Sequence, residues 1–173
     1  MKSGGLEGRA KIAALAVVTL ILQRILGLPG MPAWFGNLLL PMIWIVAAAL
    51  GRKEWHWPYE ALLLGLAWDL LLAPVVGPGG IAWTAACLSL YGLASVVADR
   101  SPLAWAAFGA VGAVVLLFVQ HLALTPLGLA TFFSISQLVW SAVLTGLWCG
   151  LVGTVVALDL GKRWRAYRVR KLR

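Results

Sequence analysis

Charge is what this sequence has least of. Of its 173 residues only 12% are charged, and 6 are acidic. A soluble domain carries roughly 25% charged residues, so the composition excludes an ordinary water-soluble globule. Few acids also argue against transferase chemistry in a membrane, which gathers several carboxylates, often around a metal. Glu7, Glu54, Glu60, Asp99 and Asp159 fall at or outside one predicted membrane interface and are not clustered. Cysteine is limited to 2 residues. Cys87 and Cys149 lie inside predicted spans, without paired spacing or flanking ligands, and read as small apolar packing groups. His121 could be matched with Ser134 or Ser136, but no nucleophile motif accompanies them. The chain therefore reads as a non-enzyme with no cofactor and no metal.

What the sequence does have is apolar length. Hydrophobic residues make up 62% of the chain, and mean hydropathy is +0.92. That is room for several spans of about 20 apolar residues. Lys2, Arg9 and Lys11 precede the first apolar stretch, as in a signal peptide. No small-x-small cleavage site stands out and further spans follow, so this stretch reads as a first transmembrane helix.

Breaker residues divide the chain into six spans, near 12–28, 37–50, 59–76, 81–98, 102–124 and 136–158. Gly27, Pro29 and Gly30 end the first. Gly51, Arg52 and Lys53 end the second. Pro58 opens the third in a first helical turn. Gly77, Pro78, Gly79 and Gly80 break the chain before the fourth. Asp99 to Pro102 form a short turn, and Thr125 to Gly128 interrupt before the sixth. The expected fold is an all-α integral membrane protein, one domain of six transmembrane helices in a compact bundle.

Basic residues orient it. With the N-terminus inside, the inner segments hold Lys2, Arg9, Lys11, Arg52, Lys53, Arg100, Lys162, Arg163, Arg165, Arg168, Arg170, Lys171 and Arg173, thirteen of the 14 Lys and Arg. Only Arg24 falls in the outer half. This asymmetry is the positive-inside pattern, and it places both termini in the cytoplasm. Trp34, Trp83 and Trp140 fall near outer ends and Trp55, Trp57, Trp105 and Trp164 near inner ends, as interfacial belts do. Trp44, Trp68 and Trp148 lie deeper. Residues 162–173 carry seven basic side chains. Leu160, Trp164 and Tyr167 form an apolar stripe beside them, which suits a short helix on an anionic inner leaflet. This accounts for the net charge of +8 without nucleic acid.

One acid remains, in Gly65-Leu66-Ala67-Trp68-Asp69-Leu70-Leu71. Asp69 lies ten residues into the third span, about 15 Å along a helix and near the expected midplane. An ionisable group there is costly, so Asp69 must face the bundle interior, find a partner or be protonated. Gly65, Asp69 and Ala73 share one face, and small residues there admit a second backbone at close range. The stripe reads as a tight helix contact with a polar group at its centre. Gln23 and Arg24, late in the first span, are candidate partners, and Gln120 and His121 lie further out. Ser141, Thr145, Cys149 and Gly153 line one face of the sixth span. Gly146 and Gly150 form a GxxxG packing motif on an adjacent face. With a single deep carboxylate and no second one to relay, proton or ion transport is a weaker reading than a structural role.

Together the order of Gln23, Asn37-Leu38, Arg52-Lys53, Gly65-x-x-x-Asp69-Leu70, the Gly-rich turn and Tyr91-Gly92 resembles the MreD family, the small membrane protein of the bacterial rod-shape system, or elongasome. The resemblance covers nearly the whole chain. It departs at Gly36, where the family often has proline. It implies a fold similar to the S components of energy-coupling-factor vitamin transporters and a non-catalytic role in the inner membrane. It also implies binding to MreC, with the RodA glycosyltransferase, its class B penicillin-binding transpeptidase and MreB filaments as further partners in lateral peptidoglycan synthesis. The alternative is a solute-binding S component. For this the chain has only Gln120, His121, Ser134, Ser136 and Gln137 as a polar outer cluster.

Overall fold

A computed structural model describes residues 4–29, 32–51, 57–73, 75–97, 101–129 and 134–158. Arg52, Lys53, Asp99, Arg100 and the basic tail at 162–173 lie outside the described residues. The architecture is all helical: α1 (Gly4–Leu26), one-turn α2 (Ala33–Gly36), α3 (Met42–Gly51), α4 (Trp57–Leu72), α5 (Pro78–Val96), α6 (Pro102–Leu124) and α7 (Ile135–Ala157). A 3₁₀ turn, Thr125–Leu127, follows α6 and ends at Gly128 with φ 68°, a left-handed angle that glycine adopts at no steric cost.

Local chemistry sets several of these boundaries. Pro78 and Pro102 open α5 and α6, where the missing N–H costs nothing because the first turn has no intrahelical acceptor. Ser101 Oγ accepts from Ala104 N at 3.2 Å, capping α6. Ser134 caps α7 in the same way through Gln137 N.

Three segments, Pro78–Val96, Pro102–Leu127 and Ile135–Ala157, are long and apolar enough to cross a bilayer, at 19, 26 and 23 residues. Their outward faces are hydrophobic: Ile81 and Leu88 on α5, Leu103, Val111 and Phe118 on α6, Val139, Leu147 and Leu151 on α7. Such faces are stable against lipid and not against water. This is a membrane protein.

Small residues bring the helices together. On α7, a side chain at Gly146 would press on Ala106 O and Ala110 Cβ, one at Gly150 on Ala106 Cβ, and one at Gly153 on the Trp105 ring, while Cys149 packs on Gly109. As α7 numbering rises, the α6 partner falls, so the two run antiparallel. In α3, Met42, Val46 and Ala49 are fully buried, and this ten-residue helix is the centre of the core. Trp83 is also fully buried and stacks at a tilt on Trp68 with ring centroids 5.5 Å apart. It belongs to the core and not to an interfacial belt. On α1 the exposed side chains include Leu15, Val18, Ile21, Leu22 and Ile25, whereas Leu20 and Gln23 are buried.

Several helices differ from the boundaries expected of them: α1 begins at Gly4, before the expected 12, and α5 begins at Pro78, so Pro78, Gly79 and Gly80 form its first turn and not a break before it. Residues 37–50 do not form one helix. The chain makes the single turn α2, leaves helical geometry over 37–41, and resumes as α3. Pro41 is the physical cause: it offers no N–H and disfavours helical geometry at Leu40. Helix α4 stops at Leu72, four residues before the expected end at 76. Asp69 therefore lies in the last turn of α4, beside the turn into α5, and not in the middle of a span.

Candidate functional site

The four buried polar or charged side chains among the described residues are Gln23, Asp69, Ser141 and Thr145. They occupy two places, and at both they bond to exposed ends of the backbone.

The first is the turn between α4 and α5. Asp69 is 1% exposed. Its Oδ2 accepts from Gly77 N and from Gly79 N, each at 2.8 Å. Gly77 is the N-cap of α5 with φ 128°, an angle that only glycine adopts readily. The first N–H groups of a helix lack intrahelical acceptors and carry the positive end of its dipole. A carboxylate there forms charge-assisted bonds of about twice the usual strength. Gly79 sits directly under the Asp69 carboxylate, and a Cβ at Gly79 would overlap Oδ1. At Gly65, a Cβ would stand 2.5 Å from Gly79 O and 2.7 Å from Gly80 Cα. The two backbones touch there, and this contact brings α5 within reach of Asp69. Ala73, half-buried, continues the same face, and its N–H bonds to Asp69 O at 3.0 Å.

The second place is the break before α3. Its stranded backbone groups are served one by one. Leu40 N donates to Gln23 Oε1 at 3.0 Å and Leu39 N to Thr145 Oγ1 at 3.1 Å. Ser141 Oγ donates to Asn37 O at 2.7 Å and Trp148 Nε1 to Leu40 O at 3.4 Å. Leu38 N bonds to Phe35 O at 3.2 Å. Below the break, Trp44 Nε1 donates to Thr19 Oγ1 at 3.1 Å, which ties α3 to α1. Thr145 lies ten residues into α7, about 15 Å along it, so the break sits well inside the bundle. Unpaired backbone at that depth in lipid would cost several kcal/mol per group. The side chains of α1 and α7 remove that cost.

The residues expected to matter fall out differently. Gln23 does not serve Asp69; it serves Leu40. Arg24 is exposed, and the Asp69 carboxylate takes backbone donors in its place. Gly146 and Gly150 pack α7 on α6, against Ala106 and Ala110. The basic side chains Lys162, Arg163, Arg165, Arg168, Arg170, Lys171 and Arg173 lie outside the described residues. Ser134 and Ser136 hydroxyls lie 3.0 Å apart at the start of α7, where Ser134 acts as a cap. The break at 37–41 escaped sequence reasoning, although Pro41 signals it. Among the described residues no three His, Cys, Asp or Glu side chains gather as a metal site would require. No family model matches the chain, and neither a curated protein nor a solved structure was found to be similar to it.

Proposed function

We propose that this chain is a non-catalytic, MreD-like subunit of a bacterial rod-shape complex, a six-span bundle with both termini in the cytoplasm. One observation carries the reading: among the described residues the buried polar side chains Gln23, Asp69, Ser141 and Thr145 each bond to the chain's own backbone, and the buried side-chain atoms left without a partner there are two, Asp69 Oδ1 and Trp83 Nε1. A solute-binding or proton-relaying bundle needs buried polar groups free to meet a ligand or one another. Here they hold a turn and a broken helix in shape. What remains for function is the outer surface of the bundle, which is apolar and suits contact with other membrane helices.

In this reading the chain binds MreC within the inner membrane and, with the RodA glycosyltransferase, its class B transpeptidase and MreB, supports lateral peptidoglycan synthesis. The sequence resemblance supports the choice of complex. The basic tail gives the inner face an electrostatic hold on anionic lipid.

The test is extraction of the tagged chain from its native membrane in mild detergent, followed by mass spectrometry of co-recovered proteins. Recovery of MreC-type and RodA-type proteins is the expected result. Recovery of a transporter ATPase with its coupling subunit, or of a bound vitamin, would replace this reading with the S-component one.

A further inference from the structure

The hydrogen bonding at the α4–α5 turn is incomplete in a specific way. Two buried polar side-chain atoms among the described residues have no protein partner: Asp69 Oδ1 and Trp83 Nε1. One is an acceptor and the other a donor. Both residues are at most 1% exposed, and an unpaired group so placed is costly.

Their places in the fold are related. Oδ1 lies over Gly79, where a Cβ would overlap it. Trp83 is one helical turn after Gly79 on the same helix, and helical side chains lean back toward the N-terminus. That lean directs the Trp83 side chain toward the turn that holds Gly79. Its ring also contacts that of Trp68 at 5.5 Å, the residue before Asp69, so it faces α4. The acceptor thus lies against Gly79, and the donor is on the residue one helical turn later, whose ring packs on the neighbour of Asp69.

We propose that the two atoms flank a binding site for a single internal water. The water accepts from Trp83 Nε1–H and donates to Asp69 Oδ1, joining the indole to the carboxylate. Buried waters typically satisfy otherwise unpaired groups in this manner. Asp69 then has a third donor beside Gly77 N and Gly79 N, and Trp83 becomes a positioning residue for the carboxylate. The site deepens the structural reading of Asp69 and does not depend on which proteins the chain binds.

The experiment is proton–nitrogen NMR of the full chain in detergent micelles with ¹⁵N-labelled tryptophan. Trp83→Phe identifies the Trp83 indole resonance by its loss. In the unmodified protein that N–H should show a direct cross-relaxation peak to a long-lived water, and in Asp69→Asn its resonance should move. Absence of the water peak would overturn the proposal. So would a Trp83 resonance that is unmoved in a folded Asp69→Asn protein. A moved resonance without the water peak would mean a direct indole–carboxylate bond and would also overturn it. The water peak is read on the unmodified protein, so failure of a variant to fold leaves the test intact. Co-recovery of partners tests the complex separately.

Discussion

Gly65→Ala puts the α4–α5 contact to a quantitative test. The added Cβ would stand 2.5 Å from Gly79 O and 2.7 Å from Gly80 Cα. Carbon contacts are comfortable at roughly 3.5–4.0 Å, so the two helices must part by about 1 Å. Both obstacles are backbone atoms and cannot rotate away. Overpacking of this kind costs about 1–3 kcal/mol. The same movement stretches the 2.8 Å bond from Gly79 N to Asp69 beyond hydrogen-bonding range. Losing a bond to a charged group costs a further 1.5–3 kcal/mol or so. The expected total is about 2.5–6 kcal/mol, a large share of the 5–15 kcal/mol that holds a typical domain together. Gly92→Ala is the control, because nothing lies within 4 Å of its added Cβ and α5 continues past it. It should stabilise by about 0.5–1 kcal/mol. Thermal challenge in detergent, read as the monodisperse fraction on size exclusion, separates the two. Equal midpoints for the two variants would refute the argument.

Other substitutions probe the remaining contacts. Asp69→Asn keeps an acceptor for Gly77 N and Gly79 N and should retain both fold and rod-shape function at reduced stability. Asp69→Leu strands both N–H groups, at about 1–3 kcal/mol each, and should lose both; equal loss in the two variants, measured by midpoint and complementation, would mean that the charge itself is required. Thr145→Val conserves shape but strands Leu39 N, so amide exchange at Leu39 and Leu40 should accelerate; unchanged exchange would remove Thr145 from the account. Gly153→Ala presses on the Trp105 ring and should lower the midpoint, whereas an unchanged midpoint would show that α6 and α7 have slack there.

Much of this was legible from residue pattern. Pro102 marks a helix start because its chemistry is local, a ring that fixes φ and a missing N–H; Gly77 to Gly80 read as a break before 81, yet only Gly77, with its positive φ, lies outside α5, and Pro78, Gly79 and Gly80 form its first turn. The Gly65, Asp69, Ala73 stripe follows from helical spacing, and Gly65 does meet a neighbouring backbone. The partners were not legible. The sequence offers Gln23 and Arg24 to Asp69 because it shows side chains, whereas free N–H groups at Gly77 and Gly79 exist only once α5 has an N-terminus nearby. Trp83 reads as interfacial from its place near a span end, yet the α4–α5 turn buries it. Pro41 sits inside an apolar run that reads as one helix from sequence. The broken helix it causes is stable only because Gln23, Ser141, Thr145 and Trp148, from two distant helices, converge on four backbone groups. Such convergence is tertiary, and no local period encodes it.

The proposed role, a scaffold for rod-shape wall synthesis, is tested most directly by depletion of the chain in its own cell. Cell width and the site of new peptidoglycan are followed with a fluorescent D-amino acid as the chain is lost, alongside uptake of labelled vitamins. The account predicts cells that round up and lose side-wall incorporation while uptake stays unchanged. Rods that keep their width and lose uptake of one vitamin would contradict it.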